Sequence, residues 1–523
     1  MAKGRRSIVG SYLPYVWIGG PLRGIAAFGE NDRGWVVDGK TPCFEIVRRP
    51  GEVALVANLV QAPAEFSEQR VIRLALQATP VKPMPDGWRA LSHGTLLGAC
   101  YYWGGFWDSH SVEPFDGTDE FFRVMGESRR TGVYNKEYLA RAVDSYPYPY
   151  ATNTAKYAEH HARILAHYRN GLWNASRTKP GEPGLVFYTN GRGVHYGDPK
   201  GQGATFCNEW NRFEYMDRNF TVLSMKAYDL DPVESFRDYA AWWYERMLST
   251  GAADHIYWDD VFCQSSFNLV QTDAYRLPTG QIQPSSGIFN MRAKVRRCAV
   301  LQAELGKDTR GNWVHMTNTA MAPVLAFAGI NYDWEDSSGR NPPQVKYPRD
   351  YILACTIGRQ FGNRVGIMGY FDFSLDKKGA EYLRLERCRA GVLLAHELRG
   401  LGASYEKAHA MLCDWGYRTP GVDVWNYWDE DVAFPVAVSG LEVATLAMAK
   451  KSSREAMVVV SSFSEHDGSA AIRPDAATLG LPSGWRAVDA ETGVPLTVAG
   501  GAVNVALEAY GFRIVRLSAG GGR

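Results

Sequence analysis

Over residues 12–90, short apolar runs are broken by Gly, Pro, Asn and Asp, the punctuation of β-structure. Tyr15–Ile18, Gly34–Val37, Phe44–Val47 and Val53–Val56 read as strands; Val71–Gln77 alternates as a further one and ends at Thr79-Pro80. A connector rich in proline (Pro80, Pro83, Pro85) follows. From about 91 the pattern changes to apolar strands alternating with amphipathic helices, the signature of parallel βα units. Leu96–Tyr102, Gly184–Asn190, His255–Asp260, Trp313–Asn318, Leu325–Asp333 and Val365–Tyr370 are the strand-like runs. Helices are expected over Thr154–Leu172, from Asp231 to about Ser249, and over Phe289–Leu305, Asp350–Gln360 and Gly379–Glu397. The second of these opens on Asp231-Pro232-Val233-Glu234, which reads as an N-cap carboxylate, Pro at N1 and Glu at N3. Beyond 429 short β runs return at Met457–Ser462, Ala502–Leu507 and Phe512–Leu517. The pattern predicts an α/β protein in three parts. An N-terminal β-sandwich portion (1–90) leads into a TIM-like (β/α)8 barrel (91–428), and a small C-terminal β-sandwich (429–523) closes the chain. Six or seven barrel strands are visible and the eighth is assumed.

Composition narrows the function. The 523 residues carry a net charge of +1 and no basic stripe, which leaves no electrostatic footprint for nucleic acid or an anionic membrane. No apolar run is long enough to span a bilayer. Residues 1–11 hold no apolar core of a secretory signal; secretion or periplasmic export is expected only if the natural start lies further upstream. Sixteen Trp and 28 Tyr are many for core packing alone, and their flat apolar faces with polar tips suit sugar rings. The eight cysteines are scattered without a C-x-x-C, so neither a structural metal nor any cofactor is expected. P-loop, G-x-S-x-G, H-E-x-x-H and dinucleotide fingerprints are absent from the sequence.

In a (β/α) barrel the loops at the C-terminal strand ends build the active site, so acids placed there carry weight. Ile256-Tyr257-Trp258-Asp259-Asp260 ends an apolar strand on two consecutive carboxylates flanked by aromatics. Glycoside cleavage needs an acid for the leaving oxygen and a second group to stabilise or trap positive charge at the anomeric carbon. Asp259 and Asp260 are therefore the candidate catalytic pair, with Trp258 beside them as a sugar contact. Tyr332-Asp333-Trp334-Glu335-Asp336 closes a later strand in the same way, and Asp333 or Glu335 could supply a partner acid. Tyr102, Trp103, Tyr188, Asn190, Asn318, Tyr332, Trp334, Tyr370 and Asp372 occupy strand ends in phase, as candidate substrate contacts. His195 and His315 also sit near strand ends and read as hydrogen-bonding residues rather than metal ligands. Trp425–Glu430 marks either the last barrel loop or the domain junction.

The layout of sandwich, barrel and small sandwich resembles glycoside hydrolase family 123 and its broader relatives. So do the run Pro14–Ala26 with Gly34-Trp35 and the strand ending Ala78–Pro83. The resemblance spans essentially the whole chain and implies an N-terminal sandwich shortened at its front. It also implies a β-N-acetylgalactosaminidase-like, retaining activity in which the substrate's 2-acetamido oxygen attacks the anomeric carbon. An adjacent Asp–Glu pair does this work in the family, and Asp259-Asp260 stands where it would fall, one methylene shorter at the second position. On that basis Asp260 is the acid/base, Asp259 holds the acetamido N–H, and Tyr332 donates to the acetamido oxygen. Two alternatives stay open: a two-carboxylate glycosidase pairing Asp260 with Asp333 or Glu335, and a non-catalytic carbohydrate-binding protein on a degenerate barrel. All three expect an oligosaccharide or polysaccharide as partner.

Overall fold

The computed structural model describes residues 12–91, 95–96, 118–133, 137, 184–190, 193–195, 209–210, 220–222, 225–316, 319–335, 338–369 and 371–520. At the N-terminal end, β1 (Tyr15–Gly19), β2 (Gly24–Phe28) and β5 (Ala75–Thr79) form one antiparallel sheet, and β3 (Phe44–Arg49) pairs with β4 (Glu52–Ala57). Gly34–Val37 forms only an isolated bridge through Val36, and the strand expected over 71–77 is displaced to 75–79. The sheet of β1, β2 and β5 packs on the parallel core: Ala26 and Phe28 join its hydrophobic cluster, and Phe28 meets Phe289 at 5.7 Å.

The centre is a seven-stranded sheet in which every pairing is parallel. In spatial order its strands are β6 (Thr95–Leu96), β7 (Leu185–Asn190), β11 (His255–Asp259), β14 (Trp313–His315), β15 (Ile330–Asp333), β16 (Arg364–Ile367) and β17 (Arg399–Gly400). The intervening β8 (Gly193–His195), β9 (Phe220–Val222) and β10 (Met225–Asp229) form a separate small antiparallel sheet, and β12 (Tyr275–Arg276) pairs with β13 (Ile282–Gln283). Sequence order equals spatial order across the parallel sheet, as in a barrel. Its two edges also curl towards each other. Arg364 of β16 donates to the Leu91 carbonyl at 3.1 Å, and Arg399 of β17 to that of Arg89 at 3.0 Å, just ahead of β6. The described residues thus give a parallel half-barrel of seven strands rather than a closed ring of eight.

Among the helices, α1 (Thr118–Thr131) and α2 (Glu234–Ser249) precede β11, α3 (Ile288–Glu304) links β11 to β14, and the short α4 (Ala322–Leu325) precedes β15. After β16 come α5 (Ala380–Ala395) and α6 (Ala403–Trp415). Two boundaries differ from expectation. The N-cap of α2 is Val233, not Asp231; Val233 N–H turns back to the Asp231 carbonyl at 2.7 Å, and the Asp231 side chain accepts from Asn290 Nδ2 at 2.7 Å. The apolar stretch from Leu325 is helical at its start, where Pro323 occupies the first turn of α4, so the strand begins only at Ile330. Short apolar runs fit either a buried strand or a buried helix, and periodicity alone does not separate them.

At the C-terminal end a six-stranded and a four-stranded antiparallel sheet face each other. Asp423–Asn426 is the edge strand of the larger one, which places Trp425 and Asn426 in that sheet. The central strands Val443–Lys450 and Glu455–Ser462 are almost continuously buried because both their faces are covered. One face meets the smaller sheet and the other meets α5, whose Gly391 lies so close that a Cβ would stand 2.7 Å from Phe512.

Candidate functional site

Side chains alternate across a strand, so register decides which residues share a face. Tyr257 of β11 pairs with Tyr188 and Trp313, Asp259 with Asn190, His315 with Tyr332, and Tyr332 with Gly366. Tyr257, Asp259, Trp313, His315 and Tyr332 therefore line one inner face. Their rings confirm it: Tyr257 lies 6.0 Å from Trp313, 6.4 Å from His315 and 6.3 Å from Tyr332, and Trp313 lies 4.9 Å from Tyr332. Gly366 makes the room, since a Cβ there would stand 2.8 Å from the Tyr332 ring.

His315 organises the acids above this aromatic layer. Its ring is buried, at 1% exposure. Nδ1 donates to the Tyr332 carbonyl at 2.6 Å, and Nε2 faces Glu335 Oε2 at 3.1 Å. A carbonyl and a carboxylate both only accept, so this geometry asks for a proton on each nitrogen. Burial alone would lower the imidazole's pKa. The hydrogen bond to Glu335 and the nearby Asp259 charge outweigh it and raise the value to about 9. At neutral pH His315 is then a fixed cation between carboxylates from β11 and from the end of β15. Asp260 follows with a left-handed backbone (φ 55°), and its N–H donates to Asp259 Oδ1 at 2.9 Å. That turn ends the strand and sends Asp260 in a new direction, which strict alternation could not do.

The other expected contacts divide. Trp258 is a correction: it is fully buried on the outer face, edge-on to Tyr244 of α2 at 6.5 Å, because it is one residue out of phase with Asp259. Trp334 is a second correction. Its left-handed backbone (φ 59°) carries the indole to the outer side, stacked on Tyr347 at 4.0 Å beside Val365 and Ile367, so it offers no sugar platform. Asp333 pairs with Ile367 on that same outer side, buried near Cys355. Glu335 is exposed, its side chain 54% accessible. Asp372 lies apart, in an exposed ion pair with Arg340 at 3.1 Å. Tyr188 and Asn190 have their backbones in β7 in register with Tyr257 and Asp259, while their side chains lie outside the described residues. Tyr102, Trp103, Asn318 and Tyr370 also lie outside them. The sequence marks His315 only as a hydrogen-bonding residue near a strand end. The signal for more was its strand-end position, two residues after the Trp313 that pairs with Tyr257.

No protein-family model matches the sequence, and no curated protein matches it. Solved structures do overlap with it in part. The GH27 β-L-arabinopyranosidase of Geobacillus stearothermophilus is 10% identical with a TM-score of 0.41, covering 68% of this chain and 77% of that one. The noncanonic maltogenic α-amylase AmyB of Thermotoga neapolitana is 8% identical with a TM-score of 0.39, covering 68% and 83%. The α-galactosidase I of Mortierella vinacea is 9% identical with a TM-score of 0.37, covering 68% and 80%. All three are glycoside hydrolases. Among the described residues no group of three or more His, Cys, Asp or Glu could hold a metal ion, and no helix is long and apolar enough to cross a membrane.

Proposed function

We propose that this chain hydrolyses O-glycosidic bonds on a (β/α)8-type barrel, with Asp259 and Asp260 as the reacting acids. The observation that carries the reading is the Asp259–His315–Glu335 cluster on successive parallel strand ends. An oxocarbenium-like transition state develops positive charge at the anomeric carbon, and carboxylates held in place beside it stabilise that charge. Asp260, turned away from Asp259 by its backbone, is the proton donor and then the base.

The finer reading is substrate-assisted, retaining cleavage of a β-linked 2-acetamido sugar. Asp259 holds the acetamido N–H and the Tyr332 hydroxyl donates to the acetamido oxygen. Support comes from both residues sharing the inner face, on the strands that flank β14. Release of nitrophenol from 4-nitrophenyl 2-acetamido-2-deoxy-β-galactoside and -glucoside, with inhibition by a thiazoline mimic, tests it. If neither substrate is cleaved and the thiazoline does not bind, this version is wrong. The exposed, His-anchored Glu335 favours a second reading, a two-carboxylate glycosidase pairing Asp260 with Glu335. Cleavage of sugars lacking the acetamido group, without thiazoline inhibition, selects that mechanism. Carboxyl groups about 5–5.5 Å apart in a ligand complex would make it retaining, and about 6.5–9.5 Å inverting.

A further inference from the structure

We propose that a cleft between the segments after β2 and before β5, lined also by Asp273 of the loop leaving Asp260, binds an anionic unit of the glycan, a uronate or a sulfated sugar. That the ligand is a sugar rests on the glycosidase reading; that it is anionic rests on the cleft. Residues 261–287 form the loop that leaves the candidate catalytic strand, and the segment after β2 grips it. Glu30 accepts from Gly287 N and Phe289 N, each at 2.7 Å, from Ser286 Oγ at 3.2 Å, and from Ser285 Oγ. Asn31 Nδ2 donates to the Asp273 and Pro284 carbonyls at 2.9 and 3.3 Å. Asp32 accepts from Tyr275 Oη and Gln283 Nε2, each at 2.8 Å. Glu30 and Asp32 are thus buried and turned into the loop.

Beside this grip opens a cleft of about 500 Å³, to which Arg33, Gln69, Arg70, Arg73 and Asp273 contribute. Glu30 also lines it, but its carboxylate is taken up by the loop's donors, whereas Arg33 and Arg70 are exposed. Arg73 is balanced by Asp273 at 2.8 Å. Arg70 donates to the Trp35 carbonyl at 3.3 Å and stacks over Phe66 at 4.9 Å, and Arg33 lies over Tyr275 at 5.9 Å. Neither Arg33 nor Arg70 forms a carboxylate pair among the described residues. A guanidinium has five N–H donors in a planar fork, so donors remain for two-point binding of a carboxylate or sulfate. The aromatic contacts hold the forks in place and reduce what ordering them costs on binding. Asp273 of the loop that follows Asp260 lines the cleft, and the Asn31 side chain bonds to its carbonyl at 2.9 Å, which ties this surface to that loop.

The test is calorimetric titration of the Asp260→Asn protein, which keeps ligands intact, with three hexasaccharides: oligogalacturonate, keratan sulfate and neutral chitohexaose. At 50 mM salt at least one anionic ligand should bind about tenfold more tightly than the neutral one, the preference falling at 500 mM. Which anionic ligand wins separates carboxylate from sulfate recognition. Arg33→Gln/Arg70→Gln should remove the preference, and Arg70→Lys should keep only part of it; both side chains are exposed, and a melting curve checks the fold. Equal affinity for all three ligands, or an anion preference untouched by Arg33→Gln/Arg70→Gln, would overturn the proposal. The readout does not involve turnover. Absence of any anion preference with Arg33 and Arg70 in place, in a protein whose natural chain cleaves glycosides, removes the cleft alone, and anion binding by a chain that cleaves none removes the glycosidase reading alone.

Discussion

Replacing Glu335 by Gln keeps an acceptor for His315 Nε2 and removes one of the two charges that hold the imidazole protonated. The whole rise of the His315 pKa, from 6.5 to about 9, corresponds to about 3 kcal/mol of stability before any screening. Glu335 is 54% exposed, so solvent screens its share, and about 1 kcal/mol is the magnitude expected of that ion pair. A folded-state pKa above the unfolded one gives stability that is fully present below about 6.5 and is lost as pH rises through about 9. Urea unfolding of the natural chain and of Glu335→Gln should therefore differ by about 1 kcal/mol at pH 6, and the gap should close by about pH 10. In the variant the imidazole should titrate at a lower pH by NMR. A gap of constant size from pH 6 to 10, or a natural His315 titrating below 6.5, would refute the cation between carboxylates.

Glu397 is buried between Arg89 and Arg359 and also accepts from Tyr417 Oη at 2.9 Å. Burial would raise its carboxyl, but the two guanidiniums bring it down to about 2. Its contribution is present above about 4.5 and is lost as pH falls towards 2; Glu397→Ala, which strands both arginines, should cost about 3–5 kcal/mol in urea unfolding at pH 7. Gly366→Ala places a Cβ 2.8 Å from the Tyr332 ring, so it should cost about 1–3 kcal/mol and lower turnover by displacing that ring, read from unfolding and kinetics together.

The parallel order of the sheet was legible because Gly184–Asn190, His255–Asp260 and Val365–Tyr370 are apolar runs ending on polar groups, and strands of that kind did form there. What the pattern could not show was side-chain phase at the ends. Trp258 and Trp334 look like sugar platforms by proximity to the acids, yet one is an odd step from Asp259 and the other is swung outwards by a left-handed backbone. His315 was visible as a strand-end residue, but its partner Glu335 lies twenty positions away, and only register brings the two together. The edge strand β17 is two residues long, too short for any periodic signal. The grip of Glu30 on the loop after Asp260 spans more than two hundred positions and leaves no local trace.

The most direct test of the account is turnover of an aryl glycoside substrate by Asp259→Asn and Asp260→Asn, with ligand binding measured on the same proteins. Loss of at least about a hundredfold in kcat for each, with binding retained, is the predicted result. Full turnover in both variants would contradict the assignment, and a natural chain that binds glycans but cleaves none of them would contradict the enzyme itself.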